Sequence, residues 1–203
     1  MKWIWKNYIQ PIIDYSSQLW APSSGGSLTR LENTLKSFTS KITGLKHLDY
    51  WSRLKILNMK SISRRIERYR IIYCYKIILG NIPNCGLQWK YTNISGTLLM
   101  EIGVKSYYIK QRENSFHYVG PRLFNKIPRN LRDTRNLSLT EWKYKLDEFL
   151  NTIPDNPPTS ETVPGLCDPS TAKPSNSLIH WIPFLGFSNR RGTMSDSNDT
   201  SYI

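Results

Sequence analysis

The chain has 203 residues with 28 Lys/Arg against 15 Asp/Glu, a net charge of +13, and 39% apolar residues that include 7 Trp, 12 Tyr and 6 Phe. That is enough apolar bulk for one ordinary core, which excludes wholesale disorder. The charge is uneven: residues 1–153 carry 25 Lys/Arg against 10 Asp/Glu, whereas residues 154–203 carry 3 against 5. A basic folded part with a mildly acidic tail points to a polyanionic partner, nucleic acid before a membrane surface or an acidic protein. Cys74, Cys85 and Cys167 form no CxxC pair, no leader-like segment opens the chain and no apolar run reaches the ~18 residues of a membrane span. These features predict a reduced, intracellular protein without a membrane partner, nuclear or cytoplasmic.

In chain order, Pro11 interrupts the first apolar segment, which is either a kinked helix or two short ones meeting near Gln10, with a helix from about Ile12 to Trp20 favoured. After a loop containing Pro22 and Gly25-Gly26, Leu28, Leu31, Leu35, Phe38, Ile42 and Leu45 recur at helical spacing, and Gly44 closes the pattern. Asp49 can cap a short helix carrying Trp51, Leu54 and Leu57, and Ser61 a longer one to about Leu79. On that helix Ile62, Ile66, Tyr69, Tyr73 and Ile77 share one face, with Arg64 and Arg68 on the far side and Arg65 at its edge. Gly80-Asn81 ends it, followed by Pro83. Residues 81–118 read as loops with a short strand pair, the strand-like composition lying at Val104 to Ile109.

Gly120-Pro121 is expected to open a short helix through about Asn125, stopped before Pro128. Ser138-Leu139-Thr140-Glu141 is a capping box for a final helix, with Leu137 able to staple onto Trp142. Leu139, Trp142, Leu146 and Phe149 make its inner face, and Pro154 stops it. From Asp155 the composition turns to Pro, Ser, Thr and Asn, predicting a mostly disordered tail interrupted by an apolar stretch from Leu178 to Phe187, read as an untidy exposed patch with docking onto the fold as the alternative. The fold class is therefore mainly α: a helical bundle with loops, a short strand pair and a tail.

Polymerase and nuclease chemistry needs carboxylates close together to hold two divalent ions, and the sequence has no Asp-Asp pair. Asp147-Glu148 are adjacent but sit beside Lys143 and Lys145, as solvated partners would. His47, His117 and His180 form no ligand spacing, and no glycine-rich phosphate loop occurs. No cofactor, metal site or independent enzymatic activity is expected. Instead, Arg64, Arg65 and Arg68 cluster beside Tyr69, and Arg112, Arg122, Lys126, Arg129 and Arg132 form a second series around Tyr118 and Phe124. Guanidinium groups grip phosphate oxygens in bidentate fashion, so both clusters are candidate nucleic-acid contacts. The bland alternative for each is helix capping or pairing with Glu67, Glu113 and Asp133.

Two stretches resemble a known family. Pro11-Ile12-Ile13-Asp14-Tyr15 through Trp20-Ala21-Pro22 resembles the segment ending "P-x-L-E-Y-x-x-x-x-W-x-P" in LINE-type (non-LTR) reverse transcriptases, which lies downstream of their catalytic box. A Leu/Phe helix follows, here Leu31-Glu32 through Phe38 to Ile42, then "L-x-Y-x-x-R-L-x-x-L", matched by Leu48 to Leu57. Next comes a Ser-Ile start with paired arginines on a long helix ending "Y-K-I-L", matched by Ser61 to Leu79. Phe116-His117-Tyr118-Val119-Gly120-Pro121-Arg122-Leu123-Phe124-Asn125-Lys126-Ile127-Pro128 resembles the terminal "F-x-x-x-G-P-x-L-W-N-x-L-P", with Phe124 for Trp and Ile127 for Leu. The first stretch extends back through Gln10 and Ile9 to Tyr8, and the family's closing helix with "F-K-x-x-L-x-x-x-L" is matched by Trp142-Lys143-Tyr144-Lys145-Leu146 through Leu150, so the resemblance covers residues 8–150. It implies a thumb-like helical region at 1–80, a post-thumb basic region at 81–153 and a tail at 154–203. It further implies that the chain is a fragment holding the backbone of an RNA or DNA template–primer duplex, with the palm and fingers as missing partners. A thumb cut from its palm exposes an apolar face, expected around Trp3, Ile4 and Trp5. A second class of reading is a helical protein-interaction module, or a transposon relic without function.

Overall fold

The computed structural model describes residues 1–20, 25–92, 96–100, 115–133, 138–155 and Leu178. These residues are mainly helical, with one short antiparallel strand pair. The chain opens with α1 (Lys2–Ile4), a π-helical segment (Trp5–Ile9) and α2 (Gln10–Asp14), followed by α3 (Ser17–Trp20), α4 (Gly25–Ser40), α5 (Tyr50–Ile56) and α6 (Ile62–Ile78). Strands β1 (Trp89–Thr92) and β2 (Gly96–Leu99) pair with Trp89 opposite Leu99. Helices α7 (Phe116–Lys126), α8 (Arg129–Arg132) and α9 (Leu139–Asn151) complete the fold.

Pro11 does not delay the first helix. The helix runs from Lys2 to Asp14 and breaks only at Ser16, whose φ is +50°. A proline ring inside an α-helix collides with the carbonyl one turn earlier. The π-helical turn just before it, where Gln10 N–H donates to Trp5 O, opens that turn and absorbs the ring.

Local caps form where the sequence places them. The Asp49 carboxylate accepts from Trp51 N–H at 2.9 Å and Ser52 N–H at 3.1 Å. Ser61 Oγ accepts from Arg64 N–H at 3.1 Å, and Ser138 with Glu141 completes the reciprocal capping box. Gly80, at φ +72°, closes α6 in the left-handed conformation that glycine adopts without strain.

Two apolar cores flank α6. The smaller gathers Trp5, Leu35, Tyr50, Leu54, Ile62 and Ile66. The larger joins Ile71, Tyr75 and Ile77 to Leu99, Leu123, Phe124, Trp142 and Leu146. The larger core therefore crosses position 80, and α6 serves both the 1–80 and the 81–153 regions. In it, Tyr75 stacks on Trp142 with ring centroids 3.8 Å apart and 14° between planes, and Trp142 Nε1 donates to Leu131 O at 2.6 Å.

Helix α7 begins at Phe116, earlier than Gly120-Pro121 suggests, and holds Pro121 in its interior. Tertiary packing overrides the local signal. Phe116 and Gly120 lie one turn apart and both face α6, where a Cβ on Gly120 would sit 3.0 Å from Cys74 Sγ and 3.0 Å from the Phe116 ring. Only glycine permits that approach. Asn125 then acts as a short substitute strand: its Oδ1 accepts from Leu99 N–H at 2.9 Å and its Nδ2 donates to Leu99 O at 2.8 Å.

At Leu178 the docking alternative holds and the favoured exposed patch does not: the side chain is fully buried in the larger core. The strand-like stretch Val104–Ile109, the staple residue Leu137 and the rest of the tail lie outside the described residues.

Candidate nucleic-acid interface

The first arginine cluster does not face outward. Arg64 is 1% exposed. It lies 3.6 Å from both Glu67 and Asp155 and donates to Pro154 O at 2.9 Å. Arg65 grips Asp14 with both arms of its guanidinium, Nε donating to Oδ1 at 3.0 Å, while Tyr69 Oη reaches the same carboxylate at 3.3 Å. Arg68 grips Asp147 at 2.5 and 2.7 Å, and Lys60 stands 3.9 Å from that carboxylate. Charges this deep must be paired, and these three arginines bind α2, α9 and the chain after α9 onto α6. Arg64 and Arg68 do lie on the far side of the helix from Ile62 and Ile66, but α9 and the chain after it cover that side. The expected pairing of Asp147 is corrected: it meets Arg68 and Lys60 rather than Lys143. The Asp147 contact is the first cause of the upward shift of the Arg68 pKa.

The N-terminus of α6 is a second polar node. Asp155 accepts from Ser61 N–H and Ser61 Oγ, both at 2.6 Å. Glu32 accepts from Ile62 and Ser63 N–H at 3.3 Å and from the Tyr50 hydroxyl. Carboxylates belong at this end, where the first amides lack helical partners and the helix dipole is positive. Burial pushes the Glu32 carboxyl up, against the lowering effect of those hydrogen bonds. Burial and then the Glu32 charge push the Tyr50 phenol up as well. Arg53 completes the node, its Nε donating to Thr39 Oγ1 at 3.2 Å and its Nη1 to Leu48 O at 2.5 Å.

The residues that carry the family resemblance are thereby accounted for as scaffold. Asp14 of the first motif pairs with Arg65 of the long-helix motif, and Glu32 joins Tyr50 of the third. In the terminal motif, Phe116, Gly120, Pro121, Leu123, Phe124 and Ile127 are buried. The positions it leaves variable include Arg122 and Lys126.

Those two belong to the second basic series, which does reach the surface. Arg122 and Lys126 are half-buried and one turn apart on α7, and Arg122 lies over the Tyr118 ring at 5.1 Å from its centroid. No carboxylate pairs with either among the described residues. Arg129 is exposed on α8. Arg132 is half-buried, its Nε donating to Ile127 O at 3.0 Å, and burial followed by the neighbouring Arg129 lowers its pKa. The structure thus brings Arg122, Lys126, Arg129 and Arg132 onto one corner of the fold, and Arg112 lies outside the described residues.

Two surface features escaped the sequence reading. Met1, Ile4, Tyr8, Ile12, Tyr15 and Leu19 are all exposed, Ile12 at 76% and Tyr15 at 79%. The spacing of 3, 4 and 4 from Met1 to Ile12 is a visible signal for a stripe along the first helix, whereas Tyr15 and Leu19 lie beyond its end at Asp14. Trp3 and Ile4 are exposed as expected, but Trp5 is buried in the smaller core. On β1, Trp89 and Tyr91 are partly exposed.

Among the described residues no group of three or more His, Cys, Asp or Glu could hold a metal, and no helix is long and apolar enough to cross a membrane. A cleft of about 700 Å³ lies between α5 and the end of α9. Its charged lining is Lys55, Lys60 and Arg64 together with Asp49 and Asp155, of which Arg64 and Asp155 already face each other at 3.6 Å. No protein-family model matches the chain, and no curated protein or solved structure shows significant similarity to it.

Proposed function

We propose that this chain is the thumb and post-thumb part of a LINE-type reverse transcriptase, a region that grips nucleic-acid backbone without reading sequence and performs no chemistry of its own. One observation carries the grip. Asp14, Glu67, Asp147 and Asp155 are committed to internal pairs with Arg64, Arg65, Arg68 and Lys60. Four acids and four bases thus cancel, and the excess of +13 rests on the remaining side chains. Such a surface attracts polyanions by releasing their counterions, a term that depends on salt and not on base sequence.

Filter binding of a mixed-sequence duplex tests this. Affinity should fall steeply between 50 and 200 mM salt, by about a hundredfold or more if several phosphates are neutralised. Replacing Arg122 and Lys126 with Ala should flatten the log–log salt slope by roughly 2, about 0.9 per lost phosphate contact. Binding that is absent, or indifferent to salt, rules the reading out.

The apolar stripe favours a second, compatible reading: docking onto another protein surface, which in the resembled polymerase is the palm. Stripes of this extent on a surface mark interaction sites. Ile4→Ser, Tyr8→Ser and Ile12→Ser together should abolish self-association in sedimentation. Stability should change by no more than about 0.5 kcal/mol per site, because these side chains are exposed. A chain that stays monomeric at high concentration before any substitution contradicts this role.

A further inference from the structure

We infer that the β1–β2 hairpin is a stacking platform for unpaired bases, so that this corner of the molecule takes single-stranded nucleic acid in preference to duplex. The inference rests on the reading that the outer cations hold nucleic-acid backbone, and it names the form of polymer they hold.

Trp89 and Tyr91 are two positions apart on one strand and therefore project from the same face. Their cross-strand partners are Leu99 and Thr97, both buried. That register puts both aromatic residues on the hairpin face that carries Leu99 and Thr97, yet Trp89 is 39% exposed and Tyr91 38%. The β-propensity of Trp and Tyr explains their presence in a strand. It does not explain why two large rings on that face of the hairpin keep this much surface in water. Two strand positions span about 6.8 Å, twice the roughly 3.4 Å rise of stacked bases. A base set against either ring, or between the two, finds ordinary stacking distance. The paired bases inside a duplex offer no free face to such a ring.

The hairpin is also tied to the basic corner. Gly96, paired with Thr92 at the turn end, has its Cβ position 3.4 Å from Arg129 O and Arg132 O, which puts α8 directly against β2. Asn125 clamps Leu99 through both backbone groups, which fixes α7, with Arg122 and Lys126, against the same strand. Aromatic rings beside a basic track are the combination that holds single strands: phosphates go to the cations and base faces to the rings, with little sequence preference.

The test uses the full chain and fluorescence anisotropy with three labelled 20-mers: oligo(dT), the same strand with abasic sites throughout, and a mixed duplex. The unmodified chain should bind oligo(dT) about tenfold more tightly than the abasic strand, which keeps the phosphates and removes the stacking. Trp89→Ala and Tyr91→Ala should each lose about tenfold on oligo(dT). Both should keep unmodified affinity for the duplex and an unmodified salt slope, and Trp89→Phe should restore most of the loss. Equal affinity of the unmodified chain for oligo(dT) and the abasic strand overturns the platform, whether or not the alanine variants fold. An equal loss on oligo(dT) and duplex overturns it as well. Salt-dependent binding that ignores bases would leave the backbone grip standing and remove only the platform. Absence of salt-dependent binding to all three would remove both.

Discussion

Glu67→Ala should be the costliest substitution in the charged layer, lowering unfolding free energy by up to about 3–5 kcal/mol, the range for removing one partner of a buried ion pair, with Asp155 left to face Arg64. Glu67 faces Arg64, which is 1% exposed, and both of its carboxylate oxygens accept from Leu178 N–H, at 3.1 and 3.2 Å. Alanine removes a counter-charge and a backbone acceptor together. Glu67→Gln keeps an acceptor for Leu178 and loses the charge, so its cost should fall between wild type and alanine. Leu178→Ala reports on the other half of the contact. Truncating a fully buried leucine costs about 2–5 kcal/mol, and urea unfolding of the full chain should show that loss. A Leu178→Ala midpoint equal to wild type would mean that the tail does not complete the core.

The second large effect is expected at Trp142. Trp142→Ala should destabilise the chain by about 3–5 kcal/mol, because it opens a cavity at the centre of the larger core. The indole is fully buried, stacks on Tyr75 and donates to Leu131 O. Trp142→Phe keeps an aromatic partner for Tyr75 but leaves the Leu131 carbonyl without that donor, a penalty of about 1–3 kcal/mol. The near-UV circular dichroism of the folded protein should also weaken in both variants. Thermal melts in which Phe and Ala cost the same would show that the hydrogen bond, not the stack, dominates this site.

The arginines show where sequence reading stops. Arg64, Arg65 and Arg68 looked like a phosphate grip because their neighbours in sequence offered few carboxylates. Arg64–Glu67 lies three residues apart on the helix, as the bland alternative had it, but the other partners stand far along the chain: Asp14 is 51 positions from Arg65, Asp147 is 79 from Arg68, and the Pro154–Asp155 segment is 90 or more from Arg64 and Ser61. No periodicity within a helix encodes such pairings. The second series reaches the surface for a physical reason. The motif around Arg122 and Lys126 spends its apolar positions on the core, and the remaining positions on that helix turn outward.

What the sequence determined by itself is what acts within a turn or two of the chain. The Asp49, Ser61 and Ser138 caps, the leucine stripe of α4, the glycine that closes α6 and the mainly helical class all follow from side chains meeting backbone groups three or four residues away. Tertiary structure alone decided which arginines are scaffold, why Pro121 lies inside a helix and why Leu178 returns to the core. In each case the deciding energy, the pairing of a buried charge or the filling of a core, exists only after distant segments have met.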